Sequence, residues 1–207
     1  MYIRQFAKVF VLLVPQTTNY MKAIRTLLLA LCLLGPLASN ATEYKNAFKV
    51  TFLSWATGST KLSYERAFAP HQSGEICASL IGAGYDKFRN NPRGYTLRYG
   101  HKFFFASNEG GGLKGFYVRP ELIYATYKYN LRDTGLRTQA QMGTLLATAG
   151  YQARFGRFLI DAWAGAGPAF GTPAETGYHH GFALWNVFGT RSDHIALSFS
   201  VRLGVCF

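Results

Sequence analysis

The C-terminal stretch IALSFSVRLGVCF, from Ile195 to Phe207, alternates between two kinds of side chain. Every odd-numbered position is apolar, whereas the even-numbered positions carry small or polar residues and one arginine, Arg202. Successive side chains of a β-strand point to opposite faces of a sheet. The stretch therefore predicts a strand with one fully apolar face, and its final residue is an aromatic in that apolar register.

Seven upstream segments have comparable strand patterns and bring the expected number of strands to eight. They span residues 46–53, 61–68, 75–85, 95–105, 116–129, 139–155 and 156–170. We expect a very tight turn at Phe155-Gly156-Arg157 and a bulge at Pro120, which cannot donate a ladder hydrogen bond. Connections at 69–74, 106–114 and 155–157, expected at one end of the sheet and called inner turns, alternate with outer loops at 55–60, 86–93, 130–137 and about 169–193. The tightest connection is an inner turn and the longest is an outer loop, although 106–114 is longer than expected for an inner turn. The predicted fold class is all-β, an antiparallel up-and-down arrangement of about eight strands.

Residues 1–41 are predicted to be a signal peptide. Basic residues follow Met21, and the apolar run Leu27–Leu34 is too short to cross a membrane as a helix. We expect Met21 to be the true start and residues 1–20 to be an over-extended start; one unusually long leader is the alternative. The folded domain is then expected to span residues 42–207.

The charge of the chain is strongly basic, +12 from 22 Lys and Arg against 10 Asp and Glu. Removal of the leader's four basic residues leaves 18 against 10, a net charge of +8. These residues are dispersed, so a nucleic-acid partner is not expected. Cys77 and Cys206, the two cysteines after the leader, are predicted on strands that are not neighbours. Neither a disulfide framework nor a cysteine metal site is expected.

The aromatic content is high, with 13 Tyr and 17 Phe, as in barrels that have aromatic girdles at both membrane interfaces. After the leader, no apolar run is long enough for a spanning helix. A membrane offers no water to unpaired backbone groups, so only helices and closed barrels satisfy all of them. The strands therefore predict a closed transmembrane barrel with apolar residues facing outward. A soluble lipocalin-like barrel, the alternative, would need the reverse orientation.

Three features, KLSYERAF at 61–68, GFYVRPELIY at 115–124 and the terminal Phe207, resemble a known group of proteins. This is the OmpA-, OmpX- and OmpW-like group of eight-stranded outer-membrane barrels, in particular its small uncharacterised members. The resemblance implies location in the cell outer membrane of a Gram-negative envelope and contact with its lipid. It also implies that the barrel-assembly machinery reads Phe207 during insertion. We expect a monomer.

The inward-facing register carries nine charged side chains that we expect to form a network filling the lumen. They are Lys49, Glu65, Arg98, Lys102, Arg119, Glu121, Arg154, Asp161 and Arg202. Buried charges need partners, so we expect the network to centre on Glu65, Glu121 and Asp161. Purely structural ion pairs are one interpretation, and a narrow or gated ion path is the other.

Seven basic residues in or beside the predicted outer loops are candidate contacts for lipopolysaccharide phosphates. They are Lys87, Arg89, Arg93, Lys128, Arg132, Arg137 and Arg191. Lys and Arg bind phosphate through charge-assisted hydrogen bonds. A solvated basic rim is the alternative.

The predicted loop 169–193 contains His179 and His180, and His194 and Ser198 share a strand face just beyond it. Adjacent histidines are poor geometry for one metal ion, and the close His-x-Ser spacing of outer-membrane lipid A deacylases is missing. We therefore predict no catalytic, cofactor-binding or metal-binding residues. The expected function is a structural or surface-interaction role. A small channel for ionic or hydrophobic solutes is the alternative, and a lipid A-modifying enzyme is the third hypothesis.

Overall fold

A computed structural model of the chain describes residues 44–105, 113–187 and 189–207, which contain nine β-strands. The strands are β1 (Asn46–Thr51), β2 (Ser59–Ala69), β3 (Gln72–Ile81), β4 (Arg93–Phe104), β5 (Gly115–Asn130), β6 (Arg137–Phe155), β7 (Phe158–Thr172), β8 (Ala183–Val187) and β9 (Thr190–Cys206). The predicted signal peptide, the start at Met21 and most of the predicted turn 106–114 lie outside the described residues. None of the described residues forms a helix long and apolar enough to span a membrane.

The strands pair antiparallel in chain order from β1 to β7, and β7 then pairs with β9. The free edge of β9 pairs with β1 over five residue pairs, from Ala47–Cys206 to Thr51–Arg202. Eight strands therefore form a ring, and β8 pairs with β9 alone among the described strands. The all-β antiparallel fold predicted from the sequence is confirmed.

Two details of the prediction are wrong. The segment 169–193 is not one long loop, because β7 runs on to Thr172 and the last part forms a hairpin of β8 and β9. A five-residue strand is too short to give a clear alternation, which is why the sequence did not reveal β8. Pro120 causes no bulge, because the β4–β5 pairs on either side of it keep one register. Register shifts occur instead at Ala67–Ala69 and at Leu184–Trp185.

The two ends of the ring differ in their connections. At one end, called the turn end, Phe155 pairs with Phe158 across a two-residue turn, and Gly156 takes a positive φ of 62° that favours glycine. The opposite end, called the loop end, carries the longer segments 82–92, 131–136 and 173–182. One 3-10 turn, Ser54–Thr57, also lies at the loop end, where it connects β1 to β2.

The faces of the ring are inverted relative to a water-soluble core. The side chain of Phe199 is 86% exposed on the outside, whereas Asp161 is fully buried within the ring. Other large apolar side chains on the outer face are exposed as well: Phe48, Leu62, Ile76, Leu80, Leu97, Leu122 and Leu145. Alternation along most of each strand thus places large apolar side chains on the outer surface and the charged side chains in the interior.

Candidate functional site

The centre of the ring holds three buried carboxylates that two lysines bridge. The ammonium group of Lys49 lies 2.6 Å from Glu75 and 2.9 Å from Asp161, and it also pairs with Glu65. The ammonium group of Lys102 lies 2.8 Å from Asp161, 3.3 Å from Glu65 and 3.4 Å from Glu75. All five side chains are at most 1% exposed, so each ammonium group bridges three carboxylates away from solvent.

Glu75 links this centre to a second, guanidinium-rich layer. Its other oxygen pairs with Arg202 and accepts from Arg119 at 3.3 Å. Arg119 in turn lies 3.1 Å from Glu121, which lies 3.2 Å from Arg98. One continuous network therefore joins charged side chains from seven of the eight ring strands, β6 being the exception.

Strand register explains why these charges meet. Glu65 of β2 and Glu75 of β3 are direct cross-strand neighbours, as are Asp161 of β7 and Arg202 of β9. Like charges directly opposite each other destabilise a sheet unless a cation lies between them. The ammonium groups of Lys49 and Lys102 supply that cation from β1 and β4.

Aromatic rings complete the interior. Trp163 lies under three guanidinium groups, those of Arg98, Arg119 and Arg202, at 4.8, 4.6 and 5.3 Å from its ring centre. The hydroxyl of Tyr117 donates to Asp161 at 2.6 Å. Stacking of this kind stabilises buried cations, because the face of an aromatic ring is electronegative.

The structure places eight of the nine predicted lumen charges in this network. Arg154 is the exception: it is only partly buried, nearer the turn end, with its guanidinium 5.7 Å from the ring centre of Tyr44. The sequence prediction missed Glu75, Tyr117 and Trp163. Strand alternation could have revealed them. Tyr117 is two residues from Arg119 and Trp163 is two residues from Asp161, so each shares the inward face of a predicted lumen charge. Glu75 is likewise two residues from the buried Cys77 on β3.

The carboxylates of Glu65, Glu75 and Asp161 are close enough to share a metal ion, with ligand atoms within 4.8 Å of one another. Lysine ammonium groups already occupy the space between them. A cation there would have to displace Lys49 and Lys102, so the arrangement works as a set of ion pairs.

Both ends of the ring interior are covered. At the turn end, Tyr44 and Leu113, which precede β1 and β5, pack with Leu159 in one buried cluster. At the loop end, Phe182 packs inside the ring with Ile123 and its neighbours.

Hydrogen bonds hold the loop 173–182 over the opening. The carbonyl of Gly181 accepts from Arg98 at 2.7 Å and from Ser198 at 2.5 Å. The Nδ1 of His180 lies 3.2 Å from the carbonyl of Thr57. Burial lowers the pKa of His179 and that of His180 to about 4 each, so both imidazoles are neutral at pH 7.

Of the seven basic residues predicted in or beside the outer loops, three lie together at a surface groove and three others have local partners. Arg93 of β4 and Lys128 of β5 are cross-strand neighbours, and Arg137 of β6 lines a surface groove with Lys128. Other members of the seven have local partners: Lys87 and Arg132 lie over the ring of Phe88, and Arg191 pairs with Asp193 at 3.2 Å. Arg89 is exposed in its loop.

The serine and histidine considered for hydrolysis do not approach each other along β9. Ser198 points inward and donates to Gly181, whereas His194 is exposed. Four residues of strand separate them by about 13 Å, far beyond the reach of a nucleophile and its base. The histidines 179 and 180 also have different partners, Tyr127 and Thr57.

The two cysteines, Cys77 and Cys206, are free and buried on strands that do not pair, as expected from the sequence.

Comparison with protein-family models, with curated proteins and with solved structures found no match.

Proposed function

We propose that this chain is an integral outer-membrane β-barrel with a structural or surface-interaction role and a lumen closed by its charge network. The observation that carries the proposal is the inverted polarity of the ring. Soluble monomers rarely expose a contiguous apolar patch larger than a few hundred Å². Here Phe199, Leu80 and Ile76 are all more than half exposed, while Lys49 and Asp161 are enclosed. Lipid is the solvent in which this distribution is stable.

Strand pairing supports the same proposal, because an open sheet edge cannot face lipid. Each ring strand has a neighbour on both sides, and the seam between β1 and β9 closes the circuit. At that seam Phe207 exchanges two backbone hydrogen bonds with Asn46, of 2.9 and 3.1 Å, and stacks on Phe48. Phe207 is half-exposed, so its ring is accessible to the assembly machinery.

Arg66 is a charged residue on the outer face and needs an explanation. It pairs across the sheet with Asn46, at the turn end rather than at the middle of the ring. A lipid-facing charge costs about 2–4 kcal/mol at the midplane but little near an interface. Its long side chain can extend to the headgroup region.

The closed lumen favours the structural role over a channel. A path through the ring would have to cross the network of Lys49, Lys102 and Asp161, and then Phe182 in the loop end. We expect no discrete conductance events in planar bilayers at high protein load. Discrete events from the purified protein would instead support the channel alternative.

A surface interaction with lipopolysaccharide rests on the basic groove. Lys128 and Arg137 line it, and Arg93 lies beside Lys128. Tyr95 and Leu97 follow Arg93 at every second position of β4, further from the loop end. Both side chains are exposed on the same outer face as Arg93. Cations directly above an apolar belt fit a phosphorylated lipid whose chains lie against that belt.

Binding to lipopolysaccharide in detergent tests this contact. We expect the triple variant Arg93→Gln, Lys128→Gln, Arg137→Gln to bind at least tenfold more weakly than the wild type, as is usual when charged hydrogen bonds are lost. The control variant Lys87→Gln, Arg89→Gln, Arg132→Gln makes the same change in net charge and should bind nearly normally. Equal losses of affinity in both variants would mean that binding depends on the overall basic charge of the loops and not on this groove.

Membrane fractionation combined with heat-modifiable gel mobility tests the main proposal. Barrels that stay folded in cold detergent migrate differently from the boiled chain, so the assay reports location and closure together. We expect the protein in the outer-membrane fraction with a mobility shift on boiling. Recovery as a detergent-free soluble monomer would refute the proposal.

A further inference from the structure

The loop 173–182 covers the loop end of the ring, and two of its histidines are buried against the ring. His179 is fully buried and His180 is 4% exposed. The ring of His179 stacks on Phe182 at 5.1 Å between ring centres, and the ring of His180 packs edge-on against Tyr127 at 5.2 Å. Both histidines therefore belong to the contact that holds this loop in place.

The hydrogen bonds around His179 suit a neutral imidazole. The hydroxyl of Tyr127 donates to the carbonyl of Tyr178 at 2.9 Å, so its oxygen is left to accept from Nδ1 of His179 at 3.4 Å. The buried Nε2 of His179 has no hydrogen-bond partner among the described residues. A protonated imidazole carries an N–H on both nitrogens. Protonation would therefore enclose a charged donor without an acceptor, which is costly.

The surroundings of His180 also oppose protonation. Lys61 and Arg98 line the same internal space as His180, and among the described residues no carboxylate forms an ion pair with either imidazole. Burial and the charge of Lys61 lower the pKa of His180 to about 4, and burial and His180 lower the pKa of His179 to about 4. The titratable groups that face the two rings are Lys61 of β2, Cys77 of β3, Asp86 of the loop 82–92, Arg98 of β4, Tyr127 of β5, Tyr178 of the same loop and Asp193 of β9. Asp86 and Asp193 favour protonation, but less than burial opposes it.

The backbone on both sides of the His180–Thr57 hydrogen bond has an uncommon conformation. His180 has a positive φ of 55°, which is rare for a residue with a bulky side chain. Leu53, which precedes the 3-10 turn that contains Thr57, also has a φ of 55°. Such conformations persist only where the surrounding structure holds them. The closed position of the loop therefore depends on its contacts with the ring and not on the preference of its own backbone.

We propose that the loop 173–182 is a proton-operated cover, which protonation of His179 and His180 releases from the loop end of the ring. Release opens the upper part of the interior to the surrounding water. The charge network lies below this part, and the bridges from Lys49 and Lys102 to Asp161 involve no residue of the loop. Acid therefore exposes the interior as far as the network without making a path through it.

The size of the effect follows from the difference in proton affinity between the two positions of the loop. An exposed histidine has a pKa near 6.5, so the released loop binds protons more tightly than the closed loop. Between about pH 7.5 and pH 5, each histidine raises the ratio of released to closed loop by about 30-fold. The two histidines together raise it by about 700-fold, and the ratio levels off below about pH 4.

The native thiol of Cys77 reports on the opening, because it lines the space beneath His180 and Gly181 and is 3% exposed. The experiment uses folded protein in detergent with Cys206→Ala and a dipyridyl disulfide, which reacts with thiols in acid. Its rate is divided by that of a free thiol at the same pH. We expect this relative rate to rise by about 700-fold between about pH 7.5 and pH 5.

Asparagine variants separate the two histidines. Asparagine tolerates a positive φ and places a nitrogen near the position of Nδ1. With His179→Asn or His180→Asn, one titrating group remains and the relative rate should rise by about 30-fold; with both substitutions it should stay constant. His194→Asn removes an exposed histidine instead and should behave as the wild type.

Cys206 supplies the second control, because it is buried in the cluster at the turn end. Measured with Cys77→Ala, its relative rate should not change with pH. A constant rate for Cys77, an equal rise in the double asparagine variant, or a parallel rise for Cys206 would each overturn the proposal; the last would mean that the whole ring loosens. All readouts use folded protein in detergent, so their failure would leave the proposed membrane location untouched.

Discussion

Replacement of Asp161 by asparagine removes one negative charge from the centre of the network while keeping the size of the side chain. Asp161 accepts from the ammonium groups of Lys49 at 2.9 Å and Lys102 at 2.8 Å, and from the hydroxyl of Tyr117 at 2.6 Å. All of these atoms are buried, so solvent cannot replace the lost charge. After the substitution, the ammonium groups of Lys49 and Lys102 each contact two carboxylates instead of three.

The expected cost follows from the burial of these partners. Removing one member of a buried ion pair costs about 3–5 kcal/mol, because the remaining charge stays enclosed. Glu65 and Glu75 still contact both lysines, which places the expectation near the lower limit, at about 3 kcal/mol. The matched control is Asp193→Asn. Asp193 pairs with Arg191 at 3.2 Å, but both side chains are about half exposed, so we expect a loss below about 1 kcal/mol.

Equilibrium urea unfolding in lipid vesicles, followed by heat-modifiable gel mobility, gives both free energies of unfolding. Adding Lys102→Met to Asp161→Asn removes one of the charges left short of a partner. The free energy of unfolding of the double variant should therefore exceed, by at least about 1 kcal/mol, the value expected if the two single losses were additive. A loss for Asp161→Asn no larger than that for Asp193→Asn would refute the view that this network stabilises the ring.

Two further substitutions or conditions test the outer face and the loop end. Phe199→Lys, at the most exposed apolar position, should lower the free energy of unfolding in vesicles by about 2–4 kcal/mol, whereas Tyr85→Lys in a loop should change it by less than about 0.5 kcal/mol; equal effects would argue against a lipid-facing Phe199. Burial lowers the pKa of His179 and of His180 from 6.5 to about 4. Between pH 4 and 6.5 the unfolded loop therefore binds more protons than the folded loop does. Amide protection of residues 173–182, corrected for intrinsic exchange rates, should be constant above about pH 6.5 and fall as the pH drops toward 4; unchanged protection at pH 4.5 would contradict this.

The sequence predicted which side chains share a face, because strand geometry alone fixes the alternation. This is why Phe199 and Arg202 fall on opposite faces as expected. The same logic could have identified Glu75 and Trp163, but the glycines at the end of the Glu75 segment and the small residues around Trp163 obscured the pattern.

The partners of each charge could not be predicted from periodicity. Lys49 and Asp161 are 112 residues apart, and only closure of the ring brings them to 2.9 Å. The sequence placed Glu121 at the centre, whereas the structure gives that position to Glu75 and places Glu121 in the adjacent guanidinium layer. Distances across a ring depend on how far each strand is shifted along its neighbours, which alternation does not encode.

The loop over the ring was equally beyond a sequence prediction. The segment containing His179, His180 and Phe182 has the composition of an exposed loop, yet all three side chains are buried. In the same loop the carbonyl of Gly181 accepts from Arg98 on β4 and Ser198 on β9. These contacts join segments that local sequence cannot relate.

A spin-label scan along β9, in protein reconstituted into lipid vesicles, tests most directly whether the apolar face of the ring contacts lipid. Single cysteines from Ile195 to Leu203 would be labelled in a Cys77→Ala, Cys206→Ala background that retains heat-modifiable mobility. We expect oxygen, which concentrates in lipid, to relax labels at the odd-numbered positions such as Phe199 more strongly than labels at the even-numbered positions such as Ser198. Preferential relaxation of the odd-numbered labels by a water-soluble nickel complex, or the absence of any two-residue period, would contradict this expectation.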